Sequence, residues 1–518
     1  MTVTSYSFFV LLLCGFIVFY ISPKKLQWIV LLLLSLAFYH FAAADYTILF
    51  LLSSTVLAYI SSNLLSVKKI AESPRAQKYA TAAAVLAVIF NILLWFLLKG
   101  SSFWISASAL AHRLFPSAAV LPALPLIGAL GMGYYTAQVI GYILDCYWGN
   151  AVPQRNFFKL FLFVAFFPQL TVGPISRYND MQCLYEKHRF SYDNMCLGCQ
   201  RILWGVFKKL VISDRVGIIV NSIWADTATY GGTYPWVALL LYPLQLYTDF
   251  SGCMDIILGA AELFDIHLAE NFKNPFFSRT AQEFWQRWHI TLGAWARDYV
   301  YYPVLKSRPI LAIGKRSKKI FKKNKRIAKL IPWAIGNGIL WVVMGFWHGS
   351  VRHIFGVSLW YWIIFVLSEL CLPLLRKLVS FLKINTECFS YRLFQSIRTY
   401  LIYAIGSLFF LAPGLRTAIR RYKILSDGIR HPTPWIFFDG SVTGLGVTFS
   451  DINLILLGVL ALFAVAILRE KYGYARIWMQ KQNLPFRWFV WLLLFVVVLI
   501  YGMYGPGYDA ADFIYAGF

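Results

Sequence analysis

The sequence predicts an all-α polytopic membrane protein with about eleven transmembrane helices plus re-entrant and interfacial helices. Three observations predict it. The 518 residues are 59% hydrophobic and only 14% charged, whereas a soluble domain of this size carries roughly 25% charged residues. The apolar residues fall in long runs, as lipid-solvated helices require. The longest polar stretches are 177–194, 306–329 and 416–440, and none of them reads as a soluble domain. The whole of 1–518 therefore reads as a single membrane-embedded domain.

The apolar runs, in order, are 7–21, 29–41, 47–65, 80–98 and 123–143, then 157–171, 234–250, 331–346, 354–372, 400–411, 452–468 and 489–504. Several fall short of the roughly 20 residues a full crossing needs, which leaves room for tilted or re-entrant pieces. The chain begins MTVTSYSFF, without a basic region or a small-residue cleavage site, so no cleavable signal peptide is expected. Pro23-Lys24-Lys25 follows the first run, and Lys68, Lys69 and Arg75 follow the third. Basic residues mark the cytoplasmic side, which puts the N-terminus outside and these turns inside.

The net charge of +25 suits basic inner loops and their attraction to anionic lipid. One loop exceeds that need: 306–329 holds eleven Lys or Arg and no acid. It is either an anionic-lipid patch or a docking site for an acidic partner or phosphate-bearing ligand. Nucleic acid is not expected, because no nucleic-acid motif accompanies the charge. Of eight cysteines, Cys196 and Cys199 form a Cys-x-x-Cys pair. No matching second pair of ligands follows, so no metal site is expected.

The middle of the chain carries the chemistry. In FPQLTVGPISRYNDM, Pro168, Gly173 and Pro174 break any spanning helix. Broken backbone at membrane depth survives only against protein or trapped water. The segment therefore either lines a cavity or is a kinked helix end. Asp249, Asp255 and Glu262 lie in or beside apolar runs, Asp255 and Glu262 on one helix face. A central acid facing lipid costs roughly 2.5–3.5 kcal/mol, so these acids are expected to face a polar interior. Asp249 could equally be a helix N-cap.

The stretch EFWQRWHITLGAWARDYVYYPVL reads as an amphipathic helix at a membrane surface or cavity mouth. Glu283 and Arg287 are spaced for an ion pair. Trp285, Trp288 and Trp295 suit an interfacial belt. His289 is either a hydrogen-bonded interfacial residue or part of a site. His348 ends an apolar run in GFWHG, and an intramembrane ionisable group is a functional candidate. Neutral imidazole can accept a hydroxyl proton near neutral pH, which suits a general base.

These residues together resemble a family. The chain is similar to bacterial membrane-bound O-acyltransferases, in the branch of the alginate O-acetyltransferases and teichoic-acid D-alanyltransferases. The resemblance runs from PKKLQWIVLLLLSLAFYHF through FFPQLTVGPISRY, DFSGCMDIILGAAELFDI and ENFKNPFFSRTAQEFWQRWHITLGAWARDYVYYP to GFWHG and the terminal GPGYDAADFIYAGF. It implies helices around a central tunnel, with His348 catalytic and His289 beside it. Gly173, Pro174, Asp249, Trp285, Arg287, Trp288 and Trp347 are then candidates for the tunnel or donor site. Lys318, Lys319, Lys322 and Lys323 are candidates for docking the donor on the cytoplasmic loop. Tyr515 matches a terminal Phe-Ile-Tyr motif implicated as an acyl relay, although Ala516-Gly517-Phe518 departs from the usual Phe-Gln-Phe.

The implied function is transfer of an acyl group, acetyl by preference, from a cytoplasmic thioester toward hydroxyls of an extracellular or cell-wall polysaccharide. The donor would be acetyl-coenzyme A or an acyl carrier protein thioester, with no tightly bound cofactor. An extracytoplasmic transferase partner is expected, and the location is the bacterial plasma membrane. The alternative within the family is D-alanyl transfer to teichoic acid from a carrier protein. The alternative outside it is a transporter or lipid flippase. Against that stands the lack of paired broken helices in corresponding halves.

Overall fold

The computed structural model describes residues 1–43, 45–66, 73–99, 108, 112, 115, 130–349 and 352–505. Among these residues the chain is helical, and its one β feature is an isolated antiparallel bridge between Phe272 and Trp288. Seven described helices are long and apolar enough to cross a membrane: Ile48–Leu65, Pro74–Leu98, Lys325–Trp347, His353–Phe381, Phe389–Leu411, Phe449–Tyr472 and Leu484–Tyr501. Two shorter apolar helices are Tyr6–Ile21 and Gln27–Ala42. At 16 residues each they rise only about 24 Å, short of the roughly 30 Å hydrocarbon core. Only 11% and 6% of the most apolar windows of Phe449–Tyr472 and Leu484–Tyr501 are buried within the protein, so these faces are left for lipid. The architecture is that of an all-α polytopic membrane protein.

The chain forms two compact units. The first comprises Met1–Asp214, Leu246–Glu270 and Leu456–Phe518. Its core includes a chain of phenylalanines, with ring centroids 6.0 Å apart for Phe8 and Phe38, 6.1 Å for Phe38 and Phe167, and 6.0 Å for Phe167 and Phe264. The helix Tyr192–Val206 crosses the long helix Tyr234–Leu263 through glycines. A Cβ on Gly198 would meet the Gly259 carbonyl oxygen at 2.8 Å, and one on Gly205 would meet the Gly252 carbonyl oxygen at 2.5 Å. Small residues at such crossings let the backbones touch and gain dispersion where lipid offers no hydrophobic drive.

That crossing brings charges together. The π-helical turn Phe207–Ser213 presents two lysines. Lys208 Nζ lies 2.6 Å from Asp255 and Lys209 Nζ 2.7 Å from Asp249 and 3.0 Å from Asp214. Arg201 bonds Asp255 and Glu270, each at 2.9 Å, and Arg476 pairs with Glu262. The expected polar surroundings of Asp249, Asp255 and Glu262 are therefore provided by specific cations. Asp249 is not a helix N-cap, since the helix begins fifteen residues earlier at Tyr234.

Other segments depart from expectation for local reasons. The run at 157–171 splits into Phe157–Ala165 and Phe167–Leu170. Pro168 sits in the first turn of the second piece, where its missing N–H leaves no bond unmade. The Phe167 N–H instead donates to Ser35 Oγ at 3.1 Å. The basic stretch 306–329 is not a loop. It folds as the helix Arg308–Ile320 and the start of Lys325–Trp347. Ile310 and Ser317, seven apart on one face, are buried. Ser317 Oγ donates to the Ala328 carbonyl at 3.0 Å and closes the helical hairpin.

The second unit comprises Arg215–Gln245 and Asn271–Ile455. Its spans are Lys325–Trp347, His353–Phe381 and Phe389–Leu411, and the stretch 416–440 contributes the amphipathic helix Leu415–Arg430.

Asp255→Ala leaves Lys208 buried without its carboxylate. It is expected to lower stability by about 3–5 kcal/mol. The double variant Lys208→Met, Asp255→Leu is expected to recover most of that loss. Chemical denaturation of the purified chain in detergent checks both; a single variant within about 0.5 kcal/mol of the native chain would show that the pair does not hold the crossing.

Candidate active site

His289 is presented by a broken helix. Thr280 caps the helix Ala281–Arg287 by accepting from the Glu283 N–H at 3.1 Å. Glu283 reaches back to the Arg279 N–H at 2.8 Å and pairs with Arg287 at 2.8 Å. Arg287 is thus engaged in holding the helix that leads to the histidine. The stretch is not one amphipathic helix as expected, because Trp288 turns extended and joins Phe272 in the isolated bridge. The Lys273 N–H donates to the Arg287 carbonyl at 2.9 Å, and the Ile290 N–H to the Asn271 carbonyl at 3.0 Å. Asn271 Oδ1 accepts from the Thr291 N–H at 3.0 Å and its hydroxyl at 2.7 Å, starting the helix Ile290–Ala296.

Between these clamps His289 takes φ 47°, ψ 52°. Such left-handed backbone at a non-glycine residue costs on the order of 1–3 kcal/mol and clusters at functional sites. The ring is buried, 3% exposed. Burial lowers its pKa from 6.5 to about 3, so the imidazole is neutral at physiological pH.

His348 follows the last residue of Lys325–Trp347 and is half-buried. Both histidines lie against one indole: the Trp347 ring is 5.7 Å from His289 and 4.9 Å from His348. On its other side His348 stacks on His353 at 5.1 Å, and Phe410 lies across both at 5.2 and 4.8 Å. His353 is fully buried and opens the π-helical segment His353–Ser358. Sequence reasoning missed it. The available signal was a second histidine five residues after His348. Gly345 permits this packing: a Cβ there would meet Ile354 Cα at 2.8 Å and the His353 carbonyl oxygen at 3.0 Å.

The tryptophans serve packing more than an interfacial belt. Trp288 is 1% exposed, stacked on Phe284 at 5.5 Å and beside Tyr403 at 5.1 Å. Trp285 touches Tyr361 at 4.8 Å and Trp341 at 5.2 Å. It thereby ties the His289 segment to the helix that ends at His348. Each aromatic pair contributes about 0.5–1.5 kcal/mol beyond area burial.

Gly173 and Pro174 follow Phe167–Leu170 as buried non-helical backbone in the first unit. Asp249, also in that unit, is wholly buried against Lys209. Lys318 and Lys319 close the helix Arg308–Ile320, Lys322 and Lys323 lie in the turn after it, and all four are exposed. This hairpin adjoins the start of Lys325–Trp347, whose 23 residues rise about 34 Å to the His348 end. Tyr515 lies outside the described residues.

Residues 149–317 match the sequence profile of the membrane-bound O-acyltransferase family. Over that segment the chain resembles the members of the family. The chain is 28% identical to a probable alginate O-acetylase of Pseudomonas syringae over 78% of its own length and 71% of the relative's. It is 29% identical to a peptidoglycan O-acetyltransferase of Helicobacter pylori over 62% and 60%. It is also 29% identical to a teichoic acid D-alanyltransferase of Bacillus subtilis over 43% and 54%. The chain is an acyltransferase and a multi-pass membrane protein.

The pKa of His289 fixes a sign. Its folded value lies below the unfolded one, so the unfolded chain binds the extra proton and stability falls as pH drops from about 6.5 toward about 3. His289→Asn, which tolerates left-handed backbone, is expected to flatten that part of the profile relative to the native chain. Melting temperatures of the two proteins across this range check it; parallel profiles would mean that His289 is not buried neutral.

Proposed function

We propose that this acyltransferase moves an acetyl group from a cytoplasmic thioester, acetyl-coenzyme A or an acyl carrier protein, toward hydroxyls of an extracellular or cell-wall polysaccharide. The observation that carries the reading is the placing of His348 at one end of a 23-residue span whose other end adjoins the exposed basic hairpin. A donor held by Lys318, Lys319, Lys322 and Lys323 on one face and a base on the other suit a reaction that crosses the bilayer. Acetyl is favoured over D-alanyl because the alginate O-acetylase relative covers 78% of the chain and the teichoic acid D-alanyltransferase 43%.

In this mechanism His348 takes the proton of the attacking hydroxyl as its oxygen adds to the thioester carbonyl. The carbon–sulfur bond then breaks, and the thiolate leaves with the proton returned by the imidazolium. His289, neutral and locked in position, orients the donor or His348. The low-dielectric surroundings strengthen every such interaction as charge develops. The N-terminus faces outward, and a separate extracytoplasmic transferase receives the group. Tyr515 is the relay that hands it over.

His348→Ala is expected to lower acetyl transfer by about 10²- to 10⁴-fold at equal protein level. Reconstituted vesicles loaded with acetyl-coenzyme A, scored for acetylated acceptor outside, check it. Transfer within about threefold of native, far less than general-base loss, refutes the assignment of the base.

For Tyr515, the substitution Tyr515→Phe keeps the ring and removes only the hydroxyl. Loss of transfer is expected, with an acetylated Tyr515 peptide in the native chain when acceptor is withheld. Full activity of the variant removes the relay and leaves direct transfer at His348.

A further inference from the structure

The second unit holds two arginines that no carboxylate answers among the described residues. Arg421, on the helix Leu415–Arg430, is 9% exposed. Its guanidinium lies 4.5 Å over the Trp224 ring, and its Nη1 is buried without a hydrogen-bond partner. Arg352 donates Nη1 to the Ala412 carbonyl, and its Nε is likewise buried and unpartnered. Burial lowers the Arg421 pKa, with Tyr242 opposing and the Arg352 charge adding to the fall. The two guanidiniums therefore feel each other, and both feel Tyr242.

The buried cations of the first unit are held differently: Lys208, Lys209 and Arg201 each bind an acid within 3.0 Å. Two like charges buried together without a counter-charge are costly, and the cost is removed when an anion enters. The frame is fixed: Tyr422 Oη donates to the Ile405 carbonyl at 2.7 Å, and Trp236 Nε1 to the Leu425 carbonyl at 3.0 Å. The position is also informative. Ala412, which holds Arg352, follows the helix whose Phe410 packs on His348 and His353. The arginines thus adjoin the His348 end of the span and not the basic hairpin.

We infer that Arg352 and Arg421 form an anion site for the acyl acceptor, binding a carboxylate or phosphodiester of an acidic polymer so that it is held at the end of the span where the acyl group is handed over. The inference rests on the proposed direction of transfer, which makes the His348 end the acceptor's side. Guanidinium suits the task because its planar fork binds either oxyanion bidentately and stays charged when desolvated.

The test uses the full chain in phosphatidylcholine nanodiscs and three oligosaccharide probes of equal length: an oligouronate, an oligo(glycerol phosphate) and a neutral glucan. Binding is measured by calorimetry, beside consumption of acetyl-coenzyme A. The expected result is at least about tenfold tighter binding of one acidic probe than of the glucan, weakened by salt. The preference is expected to be lost in Arg421→Gln and Arg352→Gln, and kept in part in Arg421→Lys. Melting curves identify a variant that fails to fold, and the preference of the native chain stands as a test without any variant. Equal binding of all three probes by a chain that consumes donor overturns the anion site alone. Failure to consume donor bears on the acyl-transfer reading instead. Arginine-dependent retention of phosphatidylglycerol with no preference among the probes makes this a lipid site and also overturns the inference.

Discussion

Three hydrogen bonds to and from residues 271–273 govern the geometry of the candidate site. The bonds from Lys273 to Arg287, from Ile290 to Asn271, and from Thr291 to the Asn271 side chain stop one helix and start the next within two residues. A regular helix through Trp288 and His289 would satisfy the same backbone groups internally, as membrane depth demands. Replacing those bonds with partners from a neighbouring stretch is what frees the chain to reverse at His289. Without the clamp, Trp288 would leave its aromatic nest and His289 its place against Trp347.

A second break serves the facing histidine. Lys325–Trp347 ends at His348, Gly349 comes next with φ 76°, and the following span opens with the π turn His353–Ser358. A π turn holds one residue more than an α turn and so rotates the residues beyond it. His353, its first residue, stacks on His348, and Gly345 lets the two backbones close. The site is thus made of helix ends and widened turns, set between spans that are otherwise regular.

Much of this could be read from residues alone, where the signal was local. The Glu283–Arg287 pair follows from its spacing, the interruption near Pro168 from proline's missing donor, and the inward-facing acids from the cost of charge in lipid. The features that escaped were set by distant partners. Nothing periodic around His289 announces a left-handed residue, because the deciding bonds arrive from Asn271 and Lys273. Trp288 resembled a belt tryptophan until Tyr403, over a hundred residues away, proved to be its neighbour. The helix Arg308–Ile320 was hidden by its charge density, although Ile310 and Ser317 already shared a face.

The buried ion pairs of the first unit bear on how the chain is made. Arg201 and Lys208 leave the ribosome more than about forty residues before Asp255, the partner they share. Each lone charge at the bilayer centre costs roughly 2.5–3.5 kcal/mol on insertion scales. The earlier segment has little reason to enter lipid alone, and neither does the later one. Biogenesis is then expected to hold the first segment at the translocon until the second arrives, so that the two partition together as a neutralised hairpin.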